Sequence, residues 1–269
     1  MLTGLRCGGR WLGLREGLVD LLLPLVCVVC GDLLGGGSAS LACARCWARA
    51  RALPEPRCER CGHPFPGLEL AELALDADPG AALPRCGWCE LLPPYVRAAR
   101  SVCWATWGTG GELVHALKYG GWTRLAGELA QRMARASWPP DVAEERAALV
   151  PVPLSSAKER ERGFNQSELL ASHLGALLGL EVWSGVLCRA RATRTQTRLT
   201  PEERAANVSG AFVISPGAES RVRGTHLILV DDVVTTCATL NECATALFTA
   251  GARLSSYLTF ARARAASDK

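Results

Sequence analysis

Beyond about residue 95 the chain alternates short apolar runs with amphipathic stretches. "ARSVCWATW", residues 99–107, alternates apolar and polar positions as a strand does. "GGELVHALKYGG", 110–121, sets Leu113, Val114 and Leu117 at helical spacing, and "LAGELAQRMARASW", 125–138, predicts a second amphipathic helix closed by Pro139 and Pro140. "ALVPVPL", 148–154, reads as a short buried strand. "NQSELLASHLGALLGL", 165–180, reads as a helix with Asn165 or Ser167 as its cap. "LILV", 227–230, is a further strand, 238–250 a helix stopped by Gly251, and "RLSSYLTFARA", 253–263, a last strand. Strands alternating with helices predict an α/β fold whose mainly parallel sheet is covered on both faces.

The first third has a different pattern. Of 13 cysteines, eight fall into four pairs of identical spacing: Cys27 and Cys30, Cys43 and Cys46, Cys58 and Cys61, Cys86 and Cys89. A CxxC knuckle aims two thiolates at one point, and two knuckles complete the tetrahedral sulfur shell that Zn²⁺ accepts. Consecutive pairing gives one site from Cys27, Cys30, Cys43 and Cys46 and a second from Cys58, Cys61, Cys86 and Cys89; interleaved pairing stays open. Such closed sites hold a fold together rather than activate water. His63 can replace a thiolate, but with eight cysteines at hand it reads as a bystander. Residues 67–85 read as a polar insertion between knuckles. We therefore expect residues 1–94 to form an N-terminal helix and a double zinc-binding module, and 95–269 the α/β domain.

Near the start, "LREGLVDLLLPLVCVVC" has arginine ahead of an apolar run, but Glu16 and Asp20 interrupt it and Pro24 breaks it. It predicts a short amphipathic helix ending at Pro24, not a membrane span, in a cytoplasmic protein. The 269 residues are 49% hydrophobic and 21% charged, which is globular, and a net charge of +4 does not by itself imply nucleic acid.

In open parallel sheets ligands sit beyond the carboxyl ends of the strands. Two loops qualify, "SSAKERERGFNQ" and "DDVVTTCAT". In the second, Asp231 and Asp232 end a strand, where carboxylates can accept from vicinal ribose hydroxyls or hold Mg²⁺ through water. Thr235, Thr236 and Thr239 add hydroxyls, and the amides of Thr235, Thr236, Cys237, Ala238 and Thr239 lie at a helix opening suited to phosphate. One stretch thus fits a 5-phosphorylated ribose; an N-cap pair without a ligand is the plainer alternative. In the first loop, Lys158, Arg160 and Arg162 can bind phosphate oxygens, although Glu159 and Glu161 interleave with them.

"LILVDDVVTTCATL" resembles the phosphoribosyl-pyrophosphate (PRPP) motif of type I phosphoribosyltransferases. Together with "VPVPLSSAKERERGFNQSELLA", "TQTRLTPEERAANVSGAF" and the CxxC knuckles, the chain resembles the ComF family of competence-associated proteins over nearly its whole length. The resemblance implies a type I phosphoribosyltransferase fold behind a zinc-ribbon module, and a role in DNA uptake or single-stranded DNA processing. It implies that Asp231 and Asp232 contact ribose, that residues 235 to 239 hold the 5-phosphate, and that the loop after "VPVPL" takes pyrophosphate, with Mg²⁺ accompanying PRPP. Lys118 and Tyr119 resemble the family's Lys-aromatic pair, in a segment, 110–125, expected to be the mobile one. Cys237 departs from the pattern, which has glycine: either this loop takes an ordinary φ or PRPP binding is weakened. A thiol at a helix opening is also expected to be more acidic, although no histidine adjoins it.

Three function classes follow. The first is a phosphoribosyltransferase. The second is a non-catalytic single-stranded DNA-binding factor using Arg189, Arg191, Arg194, Arg198 and Arg204, with Arg45, Arg57 and Arg60 of the zinc module. The third is an adaptor docking a competence helicase or uptake-channel protein, with Trp88, Trp104 and Trp107 at an interface or in the core.

Overall fold

A computed structural model of the chain describes residues 25–35, 38–65, 86–190 and 209–264. The expected N-terminal helix, the insertion at 67–85 and the arginines from Arg191 to Arg204 lie outside the described residues. In chain order the elements are α1 (Ala44–Arg49), β1 (Ala50–Ala52), a 3₁₀ turn (Gly87–Leu91), β2 (Val96–Gly108), α2 (Gly110–Tyr119), α3 (Leu125–Met133), α4 (Pro140–Glu145), β3 (Arg146–Pro151), α5 (Ser156–Arg162), α6 (Gln166–Leu178), β4 (Glu181–Val182), β5 (Leu187–Arg189), β6 (Phe212–Ile214), α7 (Glu219–Val222), β7 (His226–Val234), α8 (Ala238–Thr249) and β8 (Leu254–Arg262).

Six strands form one sheet in the order β1-β2-β8-β7-β3-β4. Every neighbouring pair is parallel except β1 with β2. The central strands β7 and β8 are buried on both sides, so their side chains divide by alternation. Leu227, Leu229 and Tyr257 join Leu240, Cys243, Ala244 and Leu247 of α8 on one face. Ile228, Val230, Leu258 and Phe260 pack against Leu113 and Leu117 of α2, Leu125 and Leu129 of α3 and Leu170 and Leu174 of α6 on the other. The antiparallel pair β5 and β6 lies over α8.

Several boundaries move from the sequence expectation. The helix at 125–138 ends at Met133, and Pro139 and Pro140 open the next helix, Pro140 supplying a preset φ at its first position. Residues 110–119 form the helix that their spacing predicts, with Leu113, Val114 and Leu117 buried. Gly110 is fixed by close approach: a Cβ there would stand 2.4 Å from the Trp104 carbonyl oxygen and 2.7 Å from Cys103 Sγ.

The cysteine-rich segment is not hung beside this sheet. Its strand β1 pairs with β2, and Thr109 Oγ1 donates to the Cys46 carbonyl at 2.5 Å. Cys27 and Cys46 belong to the core on the α2/α3 face, whereas Cys58, Cys61 and Cys89 belong to the core on the α8 face.

Candidate functional site

The carboxyl end of β7 carries the two aspartates, and the strand runs on past them to Val234. Adjacent strand residues point to opposite sides, and the pair is held from two directions. Asp232, 2% exposed, forms an ion pair with Lys118 Nζ from α2. Asp231 is half-buried; its Oδ1 accepts from Ser167 Oγ at the start of α6 at 2.7 Å and from the Asp232 amide at 2.9 Å. Burial and the neighbouring Asp232 charge push the Asp231 carboxyl up to about 7, against the pull of Lys118 and Ser167. Burial of Lys118 opposes its charge, but Asp232 and Asp231 outweigh it and hold the ammonium above the ordinary lysine value.

The loop after β7 leads into α8 through Cys237, whose φ is 60°, the one left-handed non-glycine residue among the described residues. That conformation costs a side chain about 1–2 kcal/mol, and glycine is the residue that avoids it. Here the thiol tucks inward, 3% exposed, in one core with Leu240, Cys243 and Tyr257. Burial pushes it up to about 11 against the pull of the nearby Arg262 charge, so the expected acidic thiol is not found. The Cys237 carbonyl accepts from the Asn241 amide at 2.7 Å and starts the helix. No described residue accepts from the amides of Thr235, Thr236, Cys237 or Ala238.

Facing this loop are Val152, Pro153, Leu154, Ser155 and Lys158. The stretch expected as a charged loop is largely helical. Ser155 Oγ accepts from the Lys158 amide to cap α5, and Gly163, with φ 81°, ends it as a left-handed cap. This helix brings Lys158 into the cleft but leaves Arg160 exposed and turns Arg162 toward Gln166 and the Tyr119 ring, 5.1 Å from its centroid. Of the three basic residues proposed for pyrophosphate, Lys158 alone lines the cleft. Asn165 caps α6, as one of the two alternatives expected.

The resulting cleft, about 370 Å³, is lined by Lys118, Lys158, Arg189, both aspartates and residues 233 to 240. Arg189, assigned from sequence to an arginine-rich nucleic-acid segment, comes here from the end of β5. Burial and the nearby Arg189, Arg162 and Lys118 charges lower the Lys158 ammonium, the signature of cations gathered on one wall. Carboxylates at one end, three cations and a run of unclaimed amides suit a ligand with both hydroxyls and phosphate.

The eight knuckle cysteines form two clusters, Cys27, Cys30, Cys43, Cys46 and Cys58, Cys61, Cys86, Cys89, with the four sulfurs of each within 4.8 Å of one another. A tetrahedral Zn²⁺ at about 2.3 Å from each sulfur spaces them roughly 3.8 Å apart. Cys30 to Cys43 is 3.8 Å, Cys86 to Cys89 3.8 Å, Cys58 to Cys89 3.4 Å and Cys61 to Cys86 3.0 Å. Amides also point at sulfur, as they do around metal-bound thiolates: Cys43 N donates to Cys27 Sγ at 3.3 Å. Pairing is consecutive, and the donor set fits structural zinc. His63 stands outside both clusters, stacked on Trp88 at 5.3 Å. Trp88 and Trp104 are core, while Trp107 is 44% exposed. Arg60 donates to four backbone carbonyls, of Val96, Cys89, Leu92 and Pro93, and Arg57 donates to those of Leu53 and Pro54 and pairs with Glu55 at 3.0 Å, so donors of both are engaged within the chain.

Residues 18–78 match the double zinc ribbon domain family. The chain is 38% identical over 173 residues to the DNA utilization protein YhgH of Salmonella typhimurium, covering 62% of this chain and 73% of that one. It is 30% identical over 239 residues to the Escherichia coli protein of the same name, covering 86% and 94%. Competence protein F of Haemophilus influenzae is 35% identical over 95 residues, 35% of this chain and 41% of its own. Among solved structures, a Trypanosoma cruzi hypoxanthine phosphoribosyl transferase overlays 52% of this chain and 63% of its own, at 19% identity and a TM-score of 0.30; the chain thus spans less than two thirds of that protein. Among the described residues no helix is long and apolar enough to cross a membrane.

Proposed function

The chain belongs to the family of the YhgH DNA utilization proteins and competence protein F, and from that premise we propose that its cleft binds a phosphoribosyl ligand of the PRPP type in the service of DNA uptake or utilization. One observation carries this reading: Asp231, Asp232 and residues 235 to 239 line one cleft together, and no described residue accepts from the amides of Thr235, Thr236, Cys237 or Ala238. Asp231 accepts from ribose hydroxyls, the amides of Thr235, Thr236, Cys237 and Ala238 hold the 5-phosphate, and Lys158 with Arg189 meets the remaining anionic groups. Asp231 is the residue that would hold Mg²⁺ through water, and an ion bound there would supply charge neutralisation to the ligand's anionic groups. Because Asp232 is already paired with Lys118, it orients the site and leaves the direct contact to its neighbour.

Left-handed Cys237 does not argue against an anion here, since its thiol is buried in the core and no described residue accepts from its amide. The reaction such a cleft would support is displacement of pyrophosphate from the sugar by an acceptor. Isothermal calorimetry with PRPP and Mg²⁺ tests the binding step: wild type releases heat and Asp231→Asn loses most of it. Equal heats in both proteins, or none in either, would sink the reading. A pyrophosphate-release assay over nucleobases and DNA then tests whether transfer occurs.

A second reading has one observation of its own. Trp107, exposed near the end of β2, has two guanidinium groups close to its ring, Arg51 at 4.1 Å and Arg264 at 5.4 Å from the centroid. An exposed indole beside arginines is a platform on which a base of single-stranded DNA can stack. Trp107→Ala should weaken binding of labelled single-stranded DNA, and wild-type affinity should fall steeply with salt. Such binding, like docking of a competence helicase or channel protein, would act in the cytoplasm, where cysteines stay reduced for metal.

A further inference from the structure

Arg262, the last residue of β8, is 1% exposed. A guanidinium withdrawn from water needs hydrogen bonds and opposite charge in return. Its Nη2 donates to the Cys61 carbonyl, yet Nε and Nη1 meet no acceptor among the described residues, and none of the ion pairs there involves Arg262. The guanidinium carbon lies 5.1 Å from the centroid of Trp88, which stands between Cys86 and Cys89 in the fourth knuckle. Trp88 stacks on His63 at 5.3 Å, and His63 meets Trp104 edge-on at 5.9 Å. Trp104 is in turn the register partner of Arg262 on β2.

The other neighbour of Arg262 is the ligand loop. Across the sheet it pairs with Val234, the residue immediately before that loop, and the Ala263 amide donates to the Val234 carbonyl at 2.8 Å. Cys237 belongs to the same continuous core as Cys58, Cys61, Trp88 and Cys89. Four thiolates around one divalent cation carry a net charge of about −2, enough to offset both Arg262, bonded to the Cys61 carbonyl, and Arg100, which also lies close to Cys58 and Cys61. The first cluster packs in the separate core on the opposite face of the sheet.

We propose that Arg262 is the buried counter-ion of the second cysteine cluster and that it couples metal occupancy of that cluster to the packing of residues 235–239. With the cluster loaded, the guanidinium is balanced and the ends of β7 and β8 stay closed over Cys237. When the cluster is emptied, the uncompensated cation is drawn toward water, and the strand end carries Val234 and the loop with it. This positioning role holds whichever anion the cleft takes, so it stands or falls separately from the phosphoribosyl reading.

The test uses the full chain and two readouts: zinc per chain, and the rate at which a thiol reagent labels Cys237, followed peptide by peptide in a mass spectrometer. Cys103, fully buried in the other core, is the internal reference. Arg262→Met should drop zinc from about two to about one per chain and speed labelling of Cys237 by about tenfold or more through local opening, with Cys103 still protected. Cys86→Ser, in the second cluster, should unmask Cys237 likewise; Cys30→Ser, in the first, should leave it at the wild-type rate. Should Arg262→Met unfold, shown by labelling of Cys103 too, the comparison of the two cysteine variants decides. The proposal is overturned if a folded Arg262→Met keeps both zincs with Cys237 protected, if Cys86→Ser leaves Cys237 protected, or if both serines unmask it equally.

Discussion

Lys118 of α2 and Asp232 of β7 close an ion pair at the carboxyl end of the sheet, the aspartate side chain 3% exposed and the lysine 23%. The pair joins a helix on one face to the strand that carries the candidate ligand loop. Removing Lys118 leaves the buried Asp232 carboxylate without an opposite charge.

Lys118→Met is therefore expected to destabilise the fold by about 3 kcal/mol, and Lys118→Met combined with Asp232→Asn by clearly less than the single change. Urea unfolding of the three variants measures this. Equal losses in the single and double variants would show that the pair contributes nothing beyond its stems.

Asp231 predicts a pH dependence whose sign is opposite to that of a salt-bridged carboxylate. Its folded pKa, raised to about 7 from 3.8, means that the folded state binds more protons than the unfolded state between those values. Stability should thus fall as pH rises through that window and level off above it. Asp231→Asn should flatten this part of the stability profile. The same deprotonation frees the carboxylate for sugar hydroxyls, so ligand affinity should rise through pH 7 in wild type more steeply than in Asp231→Asn.

Cys237 sets a ranking. Glycine accepts a φ of 60° freely but gives up a buried side chain, so Cys237→Gly should lie within about 1 kcal/mol of wild type. Cys237→Val adds a branched side chain to a left-handed residue in a filled core and should cost roughly 2 kcal/mol or more. Thermal melts of both variants check the order, and a valine variant as stable as the glycine one would contradict the strain.

Metal removal should proceed in two stages. Cys30 of the first cluster is exposed, whereas the second cluster's most accessible cysteine, Cys86, is half-buried and its other three are buried. A chromogenic chelator should withdraw about one zinc per chain quickly and about one slowly. Simultaneous release of both would mean that the clusters open together.

The sheet was legible because its central strands are apolar on both sides and its helices keep their period: "LILV", "LSSYLTF" and the Leu113–Leu117 stripe needed no partner to be read. The cysteine spacing announced two four-sulfur sites before any geometry. Helix α5 was not legible, because the interleaved charges of "KERER" have no apolar stripe, although Ser155 ahead of it and Gly163 behind were its cap and stop. Nor could sequence reveal that Asp232 is buried, since its partner Lys118 stands on a distant helix. Arg189 was read with its arginine-rich neighbours, and only the pairing of β5 with β6 beside α8 carries it into the cleft.

Strand β1 comes from the cysteine-rich segment and covers the outer edge of β2 from Cys103 to Gly108 with antiparallel pairing, and the Ala99 amide farther along β2 donates to the Arg60 carbonyl of the same segment. A fragment beginning after residue 94 would leave that edge bare, a row of open amides and carbonyls along a 13-residue strand that another copy could add itself to. The metal-bearing segment therefore also guards the sheet against self-association, and trimming it to isolate the cleft would yield filaments or precipitate in place of a smaller working protein.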